Sequence, residues 1–413
     1  MVTTEYIQNL FANRIGGTQF GLIDEVYKFE KIKRAKRDAI QRNPKKKLID
    51  LGVGEPDAKA DEAVIRILAE EARKPENRYY ADNGITEFKQ AASTYMKNVF
   101  GVEHLHPETE INHVIGSKSA LAMIPTAFIN PGDITIMPSP CYPILGTHTE
   151  YLGGEVVHLP LLKENSFLPR LDSLSNHVLE KAKLLYLNYP NNPTGAVASR
   201  EFFEEVVTFA KKHQLIVIHD AAYAGLVFDG EKTLSFLSIP GAKEVGIELH
   251  SLSKSFNMTG WRIGFAAGNA KLIHALATVK DNVDSGQFIP IQKAASYALA
   301  HPDITEEIAK KYSRRHEQLS SILREIGFDA EKPKGSFFLY TKIPRSVANG
   351  PTFHTAEDFS QYLIKEHLIS TVPWDDAGSY IRFSVTFQAD GLTEEKRVFE
   401  EIKARLSTSK FIF

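Results

Sequence analysis

The sequence predicts an α/β fold in which a mostly parallel sheet is sandwiched by helices, accompanied by a smaller α+β domain. A chain of 413 residues is too long for one compact core and is best divided into two domains. The runs at 184–187 and 216–218 are apolar without alternation, as in strands that are buried on both faces. Between residues 134 and 251, strand-like and helical segments alternate, which is the pattern of a parallel sheet covered by helices.

Composition excludes several classes of protein. The formal net charge is −2, which gives no indication of a nucleic-acid partner. Cys141 is the only cysteine, so the chain cannot form an internal disulfide and suits a reducing compartment. No apolar run approaches the roughly 18 residues of a membrane helix, and the first residues lack the apolar core of a signal peptide. We therefore expect a cytoplasmic protein without a membrane, nucleic-acid or metal partner.

The first 50 residues are predicted to form a segment that packs on the small domain. Within this segment, residues 27–42 have the pattern of a helix with Tyr27, Ile32 and Ala35 on one side. A short strand at 48–51 then ends in a Gly/Pro turn that contains Gly54. A ligand passing over the backbone would explain a glycine at this position, and so would a plain turn.

The large domain, predicted to span residues 51–304, contains the sheet. Its predicted strands are 111–115, 134–137, 154–159, 184–188, 215–219 and 246–251, and its predicted helices include 61–72, 120–128 and 199–213. Active sites in such sheets gather at the carboxyl ends of the strands. Polar residues that follow these strands are therefore the candidates for function.

The small domain is predicted to span residues 305–413. Helical patterns cover 304–326, 356–366 and 393–406, and strand patterns cover 336–340 and 380–385. Because helices and short strands do not alternate strictly here, we expect an α+β arrangement rather than a continuation of the parallel sheet.

A lysine and an arginine in the stretch 250–264 form the first candidate site. Lys254 has hydroxyl side chains on either side, and Arg262 follows a little over two helical turns later. An amine forms a Schiff base with an aldehyde, and a guanidinium holds a phosphate in a forked geometry. The pair indicates a phosphorylated aldehyde cofactor, which points to pyridoxal 5'-phosphate.

Groups at the strand ends add possible partners for such a cofactor. Asp220 ends a buried strand, where an ionised carboxylate is unfavourable unless it pairs with a cation such as a protonated pyridine nitrogen. The alternative interpretation is that Asp220 is the N-cap of a helix. Asn192 is either a plain turn former or a donor to a phenolate oxygen. Residues 116–119, Gly-Ser-Lys-Ser, join a strand to a helix, where free N–H groups suit a phosphate, although this tetrapeptide is common.

Taken together, these residues closely resemble the aminotransferases of pyridoxal-phosphate fold type I, class I/II. The motifs Asn-Pro-x-Gly, Asp-x-x-Tyr and Ser-x-x-Lys followed by Gly-x-Arg occur in that family's order and at its usual separations, and the resemblance spans nearly the whole chain. The matching residues are Tyr79, Gly116, Ser117, Lys118, Tyr142, Asn192, Asp220, Tyr223, Ser251, Ser253, Lys254, Arg262 and Arg382.

The resemblance implies a role for each matching residue. Lys254 would form the Schiff base and then shuttle the substrate's Cα proton, Asp220 would pair with the pyridinium nitrogen, and Arg382 would clamp the substrate's α-carboxylate. The remaining cofactor contacts would be Tyr223 and Asn192 at the O3' oxygen, Tyr142 stacked on the ring, and Ser117, Lys118, Ser251, Ser253 and Arg262 around the phosphate. Gly54, Lys118, Tyr142 and Asn192 would also face the substrate. Tyr79 would reach the cofactor of the other subunit, which implies a homodimer with shared active sites.

The N-terminal region narrows the resemblance. Residues 11–17 and 27–36 resemble LL-diaminopimelate aminotransferases, the branch that makes precursors of lysine and peptidoglycan. The implied reaction converts tetrahydrodipicolinate and glutamate to LL-diaminopimelate and 2-oxoglutarate. The alternatives are an aspartate, alanine or aromatic aminotransferase, a carbon–sulfur lyase, or a non-catalytic binding module built on the same fold. The motifs do not identify the residues that contact the far end of the substrate.

Overall fold

The computed structural model describes residues 5–22, 28–231 and 234–413. Its strands are β1 (Ile49–Asp50), β2 (Ile111–Val114), β3 (Ile134–Ser139), β4 (Glu155–Pro160), β5 (Ala182–Asn188), β6 (Ile216–Asp220), β7 (Gly246–Ser251), β8 (Gly264–Gly268), β9 (Phe338–Lys342), β10 (Ser346–Val347), β11 (Ile369–Ser370), β12 (Val372–Trp374), β13 (Tyr380–Ser384) and β14 (Phe411–Ile412).

The helices cover both faces of the main sheet and build most of the C-terminal part. They are α1 (Glu5–Gln8), α2 (Lys28–Arg42), α3 (Glu62–Glu71), α4 (Thr86–Phe100), α5 (Pro107–Glu110), α6 (Ser117–Phe128), α7 (Ile144–Tyr151), α8 (Asn176–Lys181), α9 (Arg200–His213), α10 (Ala242–Val245), α11 (Leu252–Ser255), α12 (Ala270–Lys280), α13 (Ile289–Ala300), α14 (Asp303–Ile326), α15 (Ala356–His367) and α16 (Gly391–Leu406). Within the described ranges, no helix has the combined length and apolarity that crossing a membrane requires.

The main sheet has seven strands in the order β2-β8-β7-β6-β5-β3-β4. Every neighbouring pair is parallel except those that involve β8, which runs antiparallel to both β7 and β2. The predicted mostly parallel sheet is therefore confirmed, but β8 was missed. Its sequence, Gly-Phe-Ala-Ala-Gly, lacks the β-branched residues that mark a strand, and a Cβ at Gly264 would collide with the carbonyl of His250.

Consecutive residues of the central strands enter different cores, which explains their unbroken apolar runs. Leu185 and Leu187 of β5 pack in the core that includes Phe88 and Met96 of α4. Leu184 and Tyr186 pack in a second core with side chains of α6, α7 and α12. Because successive strand residues point to opposite faces, helices must cover both sides of the sheet, as predicted.

The C-terminal part has its own antiparallel sheet, ordered β12-β13-β9, with α14, α15 and α16 around a separate core. The N-terminal helix α2 packs on it, because Ile32 and Ala39 share a small apolar cluster with Ile364, Val372 and Trp374. Strand β1 also pairs with β11. These contacts support the predicted division at residues 50 and 304, which stays a proposal. Tyr27, placed in the predicted helix, lies outside the described residues.

Two boundaries differ from the prediction for local reasons. Helix α6 begins at Ser117, about one turn before the predicted start at residue 120, since Gly116 takes φ 74° and turns the chain directly into the helix. Strand β9 begins at Phe338 rather than at residue 336, because Ser336 has a left-handed φ of 68° that a strand does not accommodate. The first shift brings Ser117 and Lys118 into the opening turn of a helix.

Candidate active site

A cavity of about 710 Å³ lies between the main sheet, the C-terminal part and helix α2. Its volume is in the range of cavities that bind small molecules and cofactors. It is lined by the predicted residues Gly54, Ser117, Lys118, Tyr142, Asn192, Asp220, Tyr223, Ser251, Ser253, Lys254, Arg262 and Arg382. The fold thus brings together residues that lie far apart in the sequence, from Gly54 to Arg382.

The topology of the sheet explains this convergence. Strands β3, β5, β6 and β7 are parallel, so the loops after their carboxyl ends meet at one edge of the sheet. Asp220 ends β6, and Ser251 ends β7 immediately before the short helix that carries Lys254. Since β8 is antiparallel, its amino end lies at the same edge and brings Arg262 there.

Lys254 is a buried amine with one hydrogen-bond acceptor. Its Nζ donates to the carbonyl of Gly54 over 2.6 Å. Burial lowers the pKa of the ammonium to about 8; the nearby Glu55 carboxylate opposes this shift, and the charges of Arg262 and Arg382 reinforce it. At a pKa of about 8, roughly a tenth of the amine is unprotonated at pH 7 and about half at pH 8, and this is the form that acts as a nucleophile or proton acceptor.

Asp220 is a buried carboxylate with an unsatisfied oxygen. Oδ2 accepts a hydrogen bond from the hydroxyl of Tyr186 over 3.2 Å, whereas Oδ1 has no partner among the described residues. Burial raises the pKa of the carboxyl to about 6. A cation with an N–H group facing Oδ1 would donate the missing hydrogen bond and favour the ionised form of the carboxylate. Asp220 is not a helix N-cap, because the described chain after β6 continues as turns.

The side of the cavity near Arg262 suits an anion. Nη1 of Arg262 donates to Oγ of Ser253 over 3.3 Å and to the carbonyl of Thr259 over 2.9 Å. Gly116 has a left-handed φ of 74°, which favours glycine, and a Cβ there would displace the guanidinium of Arg262. The next residue, Ser117, begins α6, and the first N–H groups of a helix have no intrahelical partner. Guanidinium, hydroxyls and N–H groups therefore face the same space.

Arg382 forms the opposite wall. It is 5% exposed, its Nη1 donates to Oδ1 of Asn192, and its Nη2 donates to the carbonyl of Gly52, each over 2.9 Å. Its guanidinium carbon lies 4.0 Å from the ring centre of Phe338, and burial lowers its pKa to about 10. Stacking and two hydrogen bonds hold the guanidinium in one orientation at the wall of the cavity.

The three predicted tyrosines occupy different environments. Tyr223 is buried between Phe337 and Phe338, and burial raises the pKa of its phenol, against the opposing charge of Arg382. Tyr142 is half-buried and lines the cavity. Tyr79 does not line it: its side chain is 60% exposed, and the Arg78 guanidinium lies 4.1 Å from its ring centre.

A model of the aminotransferase class I and II family matches residues 46–397. This chain belongs to that family. It is therefore a transaminase, an enzyme that moves an amino group between an amino acid and a 2-oxo acid, and enzymes of this family depend on pyridoxal 5'-phosphate. The resemblance deduced from the motifs is confirmed at the level of the family.

Individual relatives cover almost the entire aminotransferase chain. The LL-diaminopimelate aminotransferase of Methanocaldococcus jannaschii is 60% identical over 97% of both chains. The enzyme of the same name from Methanococcus maripaludis is 55% identical over 99% of both chains. Among solved structures, a probable N-succinyldiaminopimelate aminotransferase from Thermus thermophilus has a TM-score of 0.82 and is 30% identical; the match covers 92% of this chain and 100% of that one.

The cavity of this aminotransferase also has lining residues that the motifs did not single out. Lys33 and Lys36 of α2 line it, together with Asp50, Glu55 and Asp376. The alternation of charged residues along 27–42 showed only that one side of that helix is polar. Nothing in the local pattern indicates that this side faces a cavity, because the packing of α2 depends on residues more than 300 positions away.

A second feature that the motifs did not reveal is a buried polar network behind Asp220. Glu248 of β7 accepts from His219 Nδ1 over 2.8 Å, from Ser235 Oγ over 2.7 Å and from the Phe236 N–H over 2.6 Å, and it also pairs with His250 Nε2 over 2.6 Å. Burial raises the pKa of Glu248, but the hydrogen bonds from the two imidazoles outweigh it, and the net shift is downward. The network ties β6, which ends at Asp220, to β7, which directly precedes the helix of Lys254. Among the described residues, no group of His, Cys, Asp and Glu is arranged to hold a metal ion.

Proposed function

We propose that this aminotransferase binds pyridoxal 5'-phosphate in the cavity and interconverts LL-diaminopimelate and 2-oxoglutarate with tetrahydrodipicolinate and glutamate. The observation that carries the proposal is the convergence of Lys254, Asp220, Arg262 and Arg382 on one cavity. The full-length similarity to two LL-diaminopimelate aminotransferases supports the choice of substrate.

The cavity fits the cofactor at three separate points. The unsatisfied Oδ1 of Asp220 is suited to the protonated pyridine nitrogen. Arg262, Ser253 and the start of α6 at Ser117 are suited to the phosphate. Lys254 offers an amine whose pKa of about 8 permits reaction with an aldehyde. The remaining residues, Lys118, Tyr142, Asn192, Tyr223 and Ser251, would complete the cradle.

When bound, the cofactor supplies an aldehyde carbon that takes up the amino group and a ring that withdraws electrons from the substrate's Cα. Asp220 would keep the ring nitrogen protonated, because a buried carboxylate without a cation is unfavourable in this environment. Lys254 would attach to the aldehyde carbon, and its Nζ, when free, would remove the proton from the substrate's Cα. Burial, reinforced by the charges of Arg262 and Arg382, lowers the pKa of that amine and so favours its unprotonated form.

Arg382 would bind the carboxylate attached to Cα. Nη1 and Nη2 are directed toward Asn192 and Gly52, and the buried Nε has no partner among the described residues. A bidentate pair fixes both the position and the direction of the carboxylate, so the Cα–H bond is presented to Lys254.

We also propose that the enzyme is a cytoplasmic homodimer. Tyr79 supports the dimer, since it is exposed and lies outside the cavity of its own chain, although its motif matches a residue that reaches the partner's cofactor. The neighbouring Tyr80 is 85% exposed, and such an apolar surface is typical of a region that contacts another protein. Sedimentation of the purified protein measures the assembly directly, and a monomer under conditions of full activity would refute the dimer.

The substrate assignment is tested by a half-reaction with the cofactor-loaded enzyme. LL-diaminopimelate, N-succinyl-LL-diaminopimelate, aspartate, alanine and phenylalanine are mixed separately with the enzyme, and the absorbance change of the bound cofactor gives each rate. We expect LL-diaminopimelate to react fastest at equal concentration. Equal or slower reaction would move the assignment to another member of the family.

A further inference from the structure

The cavity is lined by a cation and an anion that the reaction at Cα does not use. Lys33 of α2 and Asp376, which follows β12, both line the cavity and are both exposed to solvent. Neither belongs to the motifs that surround Lys254. They add one positive and one negative charge to the wall of the cavity.

Both charges are available to a ligand. The other lysine of this wall, Lys36, is paired with Asp50, and Asp50 also accepts from the N–H of Gly52 over 3.0 Å. In contrast, Lys33 and Asp376 form no ion pair or side-chain hydrogen bond, either with each other or with other residues in the described part of the chain. Neither charge is therefore neutralised by another residue in the described part of the chain.

Lys33 and Asp376 also flank the same patch of the wall. Ile32, the residue before Lys33, packs in one apolar cluster with Trp374, two residues before Asp376. Ile32 and Trp374 themselves line the cavity. The two charges thus border a shared apolar surface, which suits a ligand with an aliphatic chain that ends in both an amino group and a carboxylate.

We propose that Lys33 binds the distal carboxylate of the substrate and that Asp376 binds its distal ammonium group. This inference rests on the proposed function, because diaminopimelate carries a second amino-acid group at its far end. Arg382 holds the near carboxylate, the chain lies over Ile32 and Trp374, and the two free charges select substrates that are zwitterionic at both ends. Specificity arises since a donor lacking either distal group leaves one charge unpaired.

The test combines two substitutions with three donors. LL-diaminopimelate has both distal groups, L-2-aminopimelate lacks the distal amino group, and L-lysine lacks the distal carboxylate. Lys33→Met should lower kcat/KM roughly tenfold for diaminopimelate and aminopimelate and leave lysine unchanged, as loss of one charge-assisted hydrogen bond predicts. Asp376→Asn should lower kcat/KM by roughly the same factor for diaminopimelate and lysine and leave aminopimelate unchanged. Single-turnover absorbance changes make even slow donors measurable.

Matched controls come from the same helix. Lys31→Met removes a lysine that pairs with Glu357, and Asp38→Asn removes an exposed acid; neither residue lines the cavity. Both variants should keep the wild-type values for all three donors. Loss that is equal across donors in Lys33→Met or Asp376→Asn, or no loss in either, overturns the assignment of the distal site. A wild-type enzyme that does not favour diaminopimelate overturns the proposed function instead, whatever the variants show.

Discussion

Replacing Asp220 by asparagine should stabilise the cofactor-free protein but weaken its binding of the cofactor. Burial raises the pKa of this carboxyl from 3.8 to about 6, so the folded protein without cofactor holds the proton more tightly than the unfolded chain. The unfolding free energy therefore falls as the pH rises from 3.8 to about 6, and above that the cost of the buried charge is fully present.

The size of the effect follows from the shift. At about 1.4 kcal/mol per pKa unit, burying the ionised carboxylate costs about 3 kcal/mol at about pH 8. Asparagine keeps an acceptor for the hydroxyl of Tyr186 but places an amide N–H at the unsatisfied position, which offsets part of the gain. We expect the cofactor-free Asp220→Asn protein to be about 1 to 3 kcal/mol more stable than wild type at about pH 8, with no gain at about pH 3.5.

The assay is denaturant unfolding of cofactor-free protein at these two pH values, together with titration of pyridoxal 5'-phosphate. The same substitution should weaken cofactor binding, because the partner of the ring nitrogen is lost. Asp57→Asn is the matched control: Asp57 accepts from Lys311 over 2.7 Å and from Tyr312 over 2.9 Å, so its removal should destabilise the protein at about pH 8. Destabilisation by Asp220→Asn of the cofactor-free protein at about pH 8 would refute the argument.

The remaining predictions concern Lys254, the neighbouring Glu55 and Arg382. Lys254→Ala should abolish the borohydride-trappable link to the cofactor, and a retained adduct on another lysine would contradict the assignment. Arg382→Ala should raise KM for every amino donor by the equivalent of about 2 to 5 kcal/mol, whereas the exposed Arg345→Ala should not; an unchanged KM in the first variant would exclude the clamp. The rate at which cofactor attaches to cofactor-free enzyme should rise with pH around a midpoint near 8, since only the unprotonated amine of Lys254 reacts, and Glu55→Gln should lower that midpoint by removing a charge that raises the pKa. A midpoint that does not move in Glu55→Gln would show that this carboxylate does not act on the amine.

Sequence patterns predicted most of the site because its residues follow buried strands. Asp220 and Ser251 end apolar runs, and in a parallel sheet all such ends meet at one edge. Lys254 and Arg262 are close along the chain, so their association did not depend on the rest of the fold. The missed strand β8 shows the limit of this reasoning: Gly-Phe-Ala-Ala-Gly has no strand pattern of its own and is a strand because β7 and β2 flank it.

The amino-acid sequence by itself determined the α/β class, the family and the residues expected to hold the cofactor, because these depend on local apolar patterns and on motifs of fixed spacing. Only the tertiary structure determined the pKa values and the orientations of these residues. The pKa of Lys254 depends on burial and on Glu55, and the orientation of Arg382 depends on Gly52 and Asn192. The structure alone also placed Lys33 in the cavity, since the side of α2 that faces inward is chosen by apolar contacts with residues near the other end of the chain.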